Sequence, residues 1–311
     1  MKARFLQAIA GLFASLALLA AACGGAPAPK EHLVIAIQPT ANPETLSTES
    51  KELEHFLETR LGAEVEIIVP TLFGGVIEAL RFGHAQAAFM SAWPAALAAK
   101  NAGAEVALAE VREVVIGQEK QEKPFYFSYW VVRKDSPYRS LSDLRGKKVA
   151  FSSPLSTSGY VFPTARMLEL GLLSPDSKEP DLKQFFGQVL FAGGYAQSWE
   201  ALKQGQVDVA IIAGDVSEKL YREVLEGTRI IEQQGPIPSH AVVFSKDLQE
   251  PLRSKLRDAL LELGTPENRP LMRKFISGIF VQFQVSNTKE HLAGLTQALD
   301  QTKLTFTEAL R

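Results

Sequence analysis

The stretch "FYFSYWVVRKDSPYRSLSDLRGKKVAFSS", Phe125 to Ser153, decides the fold. It opens as a long aromatic strand, breaks in a polar turn and ends in a short buried strand at Lys148 to Phe151. Before it the chain alternates strands and helices: "HLVIAI" (32–37) is a β-branched run, "STESKELEHFLETRLG" (47–62) carries apolar residues at helical spacing and stops at a glycine, and "AEVEIIVP" (63–70) is a strand again. After it the same grammar resumes, with helices at 158–171, 196–204 and 215–226 and strands at 188–192, 207–212 and 229–233. Strands alternating with helices imply βαβ units and a mainly parallel sheet. The long aromatic strand therefore reads as a crossing between two such units, with Tyr126, Tyr129 and Trp130 as its packing residues. "QQGPIPSHAVVFSKDL" (233–248), with two prolines and an extended run, reads as the return. The expected fold is α/β with two lobes, the first built from 32–128 and 240–311 and the second from 129–239. The last part, 249–311, reads as largely helical and completes the first lobe. Two lobes joined by two extended crossings enclose a cleft, the usual place for a small ligand.

The N-terminus supplies the address. "MKARFLQAIAGLFASLALLAAACGG" has two cations, an uncharged apolar run and small residues before Cys23, the single cysteine of 311 residues. That pattern is a secretory signal over 1–22, and its end resembles the lipobox of bacterial lipoproteins, in which the cysteine becomes the acylated first residue. Residues 23–31 then form a lipidated, Pro/Gly/Ala-rich tether. The expected location is the periplasmic or extracytoplasmic face, with a membrane anchor.

Charge and composition narrow the function. Without Lys2 and Arg4 the 33 cations fall to 31 against 35 anions, a formal charge of −4. Such a balance offers no basic field for nucleic acid. A lone cysteine allows no intrachain disulfide, so stability rests on a core, for which 46% hydrophobic residues suffice.

The densest chemistry is "SSPLSTSGYVFP", Ser152 to Pro163, five serine and threonine hydroxyls and a glycine between a strand-like and a helix-like run. At a strand-to-helix junction the first backbone N–H groups are unpaired and carry the positive end of the helix dipole. Hydroxyls of Ser156, Thr157 and Ser158 add donors on the same side, and Gly159 allows close approach to the backbone. Pro163, best tolerated in a first turn, puts the free donors around Thr157 to Val161, Tyr160 among them. The expectation is an oxyanion site held without arginine or lysine. A single serine there would be an ordinary helix cap.

"YWVVRKDSPYRSLSDLRGKKVAFSSPLSTSGYVFPTARML" resembles the signature region of the phosphate/phosphite/phosphonate-binding proteins of ABC importers. The likeness extends more weakly to "VEIIVPTLFGGVIEALRFGHAQAAF" and "VLFAGGYAQSWEALKQGQVDVAII". It implies a type II periplasmic-binding-protein fold, phosphoryl oxygens held by Ser156, Thr157 and Ser158, a permease and ATPase as partners, and a monomeric receptor without cofactor. Three positions depart from the family pattern: Phe73 stands where a tyrosine is common, Trp93 in "MSAWPAA" is the aromatic nearest to a usual Gly-Pro-Tyr, and Tyr195 replaces a histidine. These three would shape the pocket around the anion.

Other chemistry is poorly supported by the residues. The five histidines never fall at metal-ligand spacing; His84 reads as solvated and His240 as a cleft candidate. No Gly-x-Ser-x-Gly elbow, Walker loop or Gly-x-Gly-x-x-Gly occurs. Asp215 reads as a helix N-cap, or as a carboxylate accepting a proton from a ligand oxygen. The expected function is a lipid-anchored solute-binding component, not an enzyme. A sensor built on the same module and an enzyme on the same scaffold are the alternatives.

Overall fold

Fully buried strands at the centre of each lobe set the architecture: β3 (Ala87–Met90, "AAFM") in one sheet and β9 (Val209–Ala213, "VAIIA") in the other have no exposed residue. The computed structural model describes residues 31–39, 50–116, 119–175, 179–275 and 278–302, except the side chains of Phe73, Gln301 and Thr302. The expected signal segment, Cys23 and nearly all of the expected tether lie outside the described residues.

The first sheet has the order β12-β4-β11-β3-β1-β2, with β5 (Glu119–Lys123) paired to β4 (Glu105–Ile116). Here β1 (His32–Ile37) runs parallel to both β2 (Glu64–Ile68) and β3, joined by helices Lys51–Leu61 and Phe73–Arg81. The first helix buries Leu53, Phe56, Leu57 and Leu61 on one stripe and ends where Gly62 takes φ 69°, the left-handed turn that glycine adopts without a Cβ penalty. The second sheet has the order β10-β6-β9-β7-β8. In it β7 (Lys148–Phe151) runs parallel to β8 (Gln188–Phe191) and β9, while β6 (Phe125–Arg133) and β10 (Thr228–Pro238) are antiparallel.

Both sheets are thus mixed, where alternation alone implies mainly parallel ones. Antiparallel strands carry the chain across: β6 enters the second sheet and β10 leaves it, and β11 (Ala241–Phe244) re-enters the first beside β3 and β4. The crossings lie side by side, with the Ser239 N–H donating to the Pro124 carbonyl at 3.0 Å.

Three elements differ from expectation. The tail is not wholly helical: β12 (Phe280–Val285, "FVQFQV") pairs with β4, and Phe280 and Phe283 face the core. Helix Ala293–Thr302 packs on Phe162–Glu169 and β10 of the second lobe. The helix expected from residue 215 starts at Glu218, where the Ser217 side chain accepts from the Leu220 N–H. That frees Asp215 for another partner. Among the described residues no helix is long and apolar enough to cross a membrane.

Candidate binding cleft

Strand β7 delivers the hydroxyl run to the cleft. The chain leaves it at Phe151 and winds through a π-helical turn, Thr157–Val161, before helix Phe162–Glu169. The turn takes the place of the first part of the expected 158–171 helix. Its five residues are all buried. Ser156 is the cap, its Oγ accepting from the Gly159 N–H at 2.9 Å. That is one hydroxyl, and the others are free for different work.

Ser158 Oγ accepts from the Tyr126 hydroxyl at 2.9 Å and lies 2.6 Å from that of Tyr195, which also reaches Ser156 Oγ at 3.2 Å. Thr157 Oγ1 accepts from the backbone N–H of Trp93 at 2.8 Å. That donor belongs to the first turn of helix Ala92–Ala102 in the first lobe, so the contact spans the cleft. Ser152 Oγ is buried and packs over Gly159: a Cβ on that glycine would stand 1.9 Å from it. Six hydroxylated side chains and a helix N-terminus from the opposite lobe thus converge, a donor-rich corner suited to an oxyanion.

Tyr160 turns its ring edge-on to Phe151 and Phe191, at centroid distances of 5.7 and 5.4 Å. Trp93 contributes its main chain to the cleft contact, and its residue is buried. Phe73 begins helix Phe73–Arg81; its side chain lies outside the described residues. Trp130 is fully buried against Phe151 and Phe186, and the Tyr129 hydroxyl donates to the Val115 carbonyl.

The electrostatics hold a residue that the sequence reading missed. Arg112 of β4 donates through Nη1 to Asp215 Oδ2 at 2.5 Å and through Nη2 to Glu110 Oε2 at 2.7 Å. All three side chains are nearly inaccessible, at 5%, 7% and 2% exposure. Asp215 is therefore the partner of an arginine from the other lobe and not a helix cap, and the cleft is not free of arginine. Burial pushes the Asp215 and Glu110 carboxyls up, and Arg112 opposes it in both. Burial works against the Arg112 charge, yet Glu110 and Asp215 hold its pKa above the ordinary value. Burial and the Asp215 charge push the Tyr195 phenol up to about 12, against the hydrogen bonds of Ser156 and Ser158. Tyr126 is likewise pushed well up, chiefly by burial. Both phenols keep their protons, and Tyr126 donates its own to Ser158. Half-buried His240 is driven well below its usual pKa by burial and by Arg112, and stays neutral. His84 is exposed. Among the described residues no cluster of three potential metal ligands occurs.

The one sequence signal for the charged trio was the spacing in "AEVREVV": Glu110 and Arg112, two apart, fall on one face of an otherwise apolar strand. Charges so placed must be paired if that face is buried.

Two mixed α/β sheets, joined by paired crossings with a hydroxyl-rich contact between the lobes, define the class of two-lobed solute-binding receptors. The fold superposes on a binding protein component of an ABC phosphonate transporter from Pseudomonas aeruginosa with a TM-score of 0.71 at 21% identity, covering 91% of each chain. Within that class the chain belongs to the periplasmic substrate-binding proteins of phosphonate ABC transporters, whose sequence profile matches residues 35–288. Curated relatives include the phosphate-import protein PhnD of Mycolicibacterium smegmatis, 31% identical over 228 residues that span 70% of this chain and 69% of the relative. The phosphonates-binding periplasmic protein of Escherichia coli is 26% identical over 226 residues, 70% of this chain and 62% of that protein, so the chain matches under two thirds of that relative's length.

Proposed function

We propose that this protein is the lipid-anchored, extracytoplasmic binding component of an ABC importer, and that it captures a phosphorus oxyanion or phosphonate between its lobes. The observation that carries the reading is the hydroxyl run Ser156, Thr157 and Ser158, facing the N-terminus of helix Ala92–Ala102 through the Trp93–Thr157 bond. Ligand oxygens would take up donors now spent on hydroxyl-to-hydroxyl bonds, at about 1.5–3 kcal/mol for each bond to a charged group. Tyr195 and Asp215 would line the same cavity, with Trp93 and Phe73 on the first-lobe side. The relatives named for phosphate import and for phosphonate binding support this ligand class.

A binding role fits the chemistry of the hydroxyls better than catalysis. A nucleophilic serine needs a base beside it, whereas Ser156 and Ser158 meet Tyr195, a phenol that holds its proton to about pH 12. The protein would act as a monomer that hands its ligand to a permease and ATPase complex. Cys23 would carry the acyl anchor. A thermal-shift and calorimetric panel of phosphate, phosphite, methylphosphonate and sulfate tests the ligand class: saturable binding of the phosphorus anions is expected, and binding of none of them would refute it.

A further inference from the structure

Two carboxylates buried beside an anion cradle need a cation, because a buried charge left unpaired is costly and repels the ligand. The cation can come from the ligand, as an ammonium group, or from the protein. Here it comes from the protein: Arg112 holds Asp215 at 2.5 Å and Glu110 at 2.7 Å. Asp215 follows β9, which packs against the Thr157–Val161 turn, and its charge helps raise the pKa of Tyr126 and Tyr195, the phenols that bind Ser158.

The pairing also crosses between lobes, since β4 belongs to the first sheet and Asp215 follows β9 of the second. A ligand ammonium seated on Asp215 would meet the guanidinium as a like charge and would displace the contact that joins the lobes. An anion meets the reverse. Arg112 Nε is buried without a hydrogen-bond partner, a cationic donor still unspent. Glu110 Oε1 is equally unpartnered, but its other carboxylate oxygen is held by Arg112 Nη2, so the guanidinium neutralises both acids.

We propose that Arg112 determines specificity: by occupying both carboxylates it replaces the cation a ligand would otherwise carry, and so selects oxyanions with a small, uncharged substituent over phosphonates that bear an amine. This inference rests on the phosphorus-anion reading above.

Calorimetric titration of the unaltered mature protein with inorganic phosphate, methylphosphonate and 2-aminoethylphosphonate tests it. One or both amine-free anions should bind at least tenfold more tightly than the aminophosphonate, and Arg112→Met should shrink that ratio tenfold or invert it. An aminophosphonate that equals or outbinds both on the unaltered protein overturns the assignment of Arg112 while leaving the phosphorus-anion reading intact. So does an Arg112→Met protein of normal fold with the original ranking. Should that variant not fold, the ranking on the unaltered protein alone decides. If none of the three binds, the phosphorus-anion reading falls, and this inference with it.

Discussion

Trp93 and Thr157 meet across the cleft, the backbone N–H of one donating to the hydroxyl of the other at 2.8 Å. Thr157 thus stands where the lobes touch and where an anion would sit. Thr157→Ala removes one donor from every anionic ligand alike, so affinities for phosphate, phosphite and methylphosphonate should fall together by tenfold or more, about 1.5–3 kcal/mol. Calorimetry on a variant with an unchanged circular dichroism spectrum checks it. Undiminished affinity would remove the hydroxyl run from the site.

Gly159→Ala should damage both fold and site. Its Cβ would lie 1.9 Å from Ser152 Oγ, 2.8 Å from Ser156 Oγ and 2.9 Å from Ser152 Cβ. All of these positions are buried, so the turn has to shift, at about 1–3 kcal/mol for overpacking. Urea denaturation should show that loss. Adding Ser152→Ala removes the worst clash but not the one with Ser156, so it should recover only part.

How much of this was legible beforehand follows from the range of the interactions. The alternation of strands and helices is local, and it carried the two-lobed fold. Strand pairing is not local, so the antiparallel partners of β6 and β10 could not be read from either strand. β12 was missed although "FVQFQV" alternates, because helical runs flank it on both sides. The hydroxyl run was visible as composition, and the structure brings Ser156, Ser158 and Tyr195 together. For Arg112 the spacing with Glu110 marks only that a buried face would need pairing; its decisive partner, Asp215, is 103 residues away and cannot be read from the strand.

Alkaline pH should unfold the protein through its tyrosines. Tyr195 and Tyr160 are each pushed up to about 12, by burial first and then by a nearby carboxylate. In the unfolded chain they titrate near 10. A raised folded pKa means that their contribution to stability is whole below about pH 10 and is lost as pH climbs through about 12, because the unfolded chain releases protons that the folded chain still holds. Urea midpoints should therefore fall across that window, and Tyr195→Phe should flatten the fall. A flat profile from pH 9 to 12 would contradict these shifts.

The anchor is tested at Cys23. If the thiol is acylated after cleavage of the leader, Cys23→Ser should abolish labelling by a radioactive fatty acid and leave unprocessed precursor in the membrane fraction. Unchanged labelling would place the lipid elsewhere or dispense with it.

Among the described residues two ion pairs cross between the lobes, and they should behave oppositely. Lys120 to Glu218, at 2.9 Å, has side chains about half exposed; such pairs are screened by salt and add little. Lys120→Ala should leave the urea midpoint unchanged. Arg112 to Asp215 is almost wholly buried. Asp215→Asn keeps the shape and removes the charge, but Arg112 retains Glu110, so the loss should come in at or below the roughly 3–5 kcal/mol seen when a buried pair is broken. It should also be insensitive to salt. The lobes would lose a charge-assisted tie, and small-angle scattering should report a larger radius of gyration for Asp215→Asn without ligand than for the unaltered protein. Equal radii, together with an unchanged denaturation midpoint, would mean that the pair neither ties the lobes nor supports the fold.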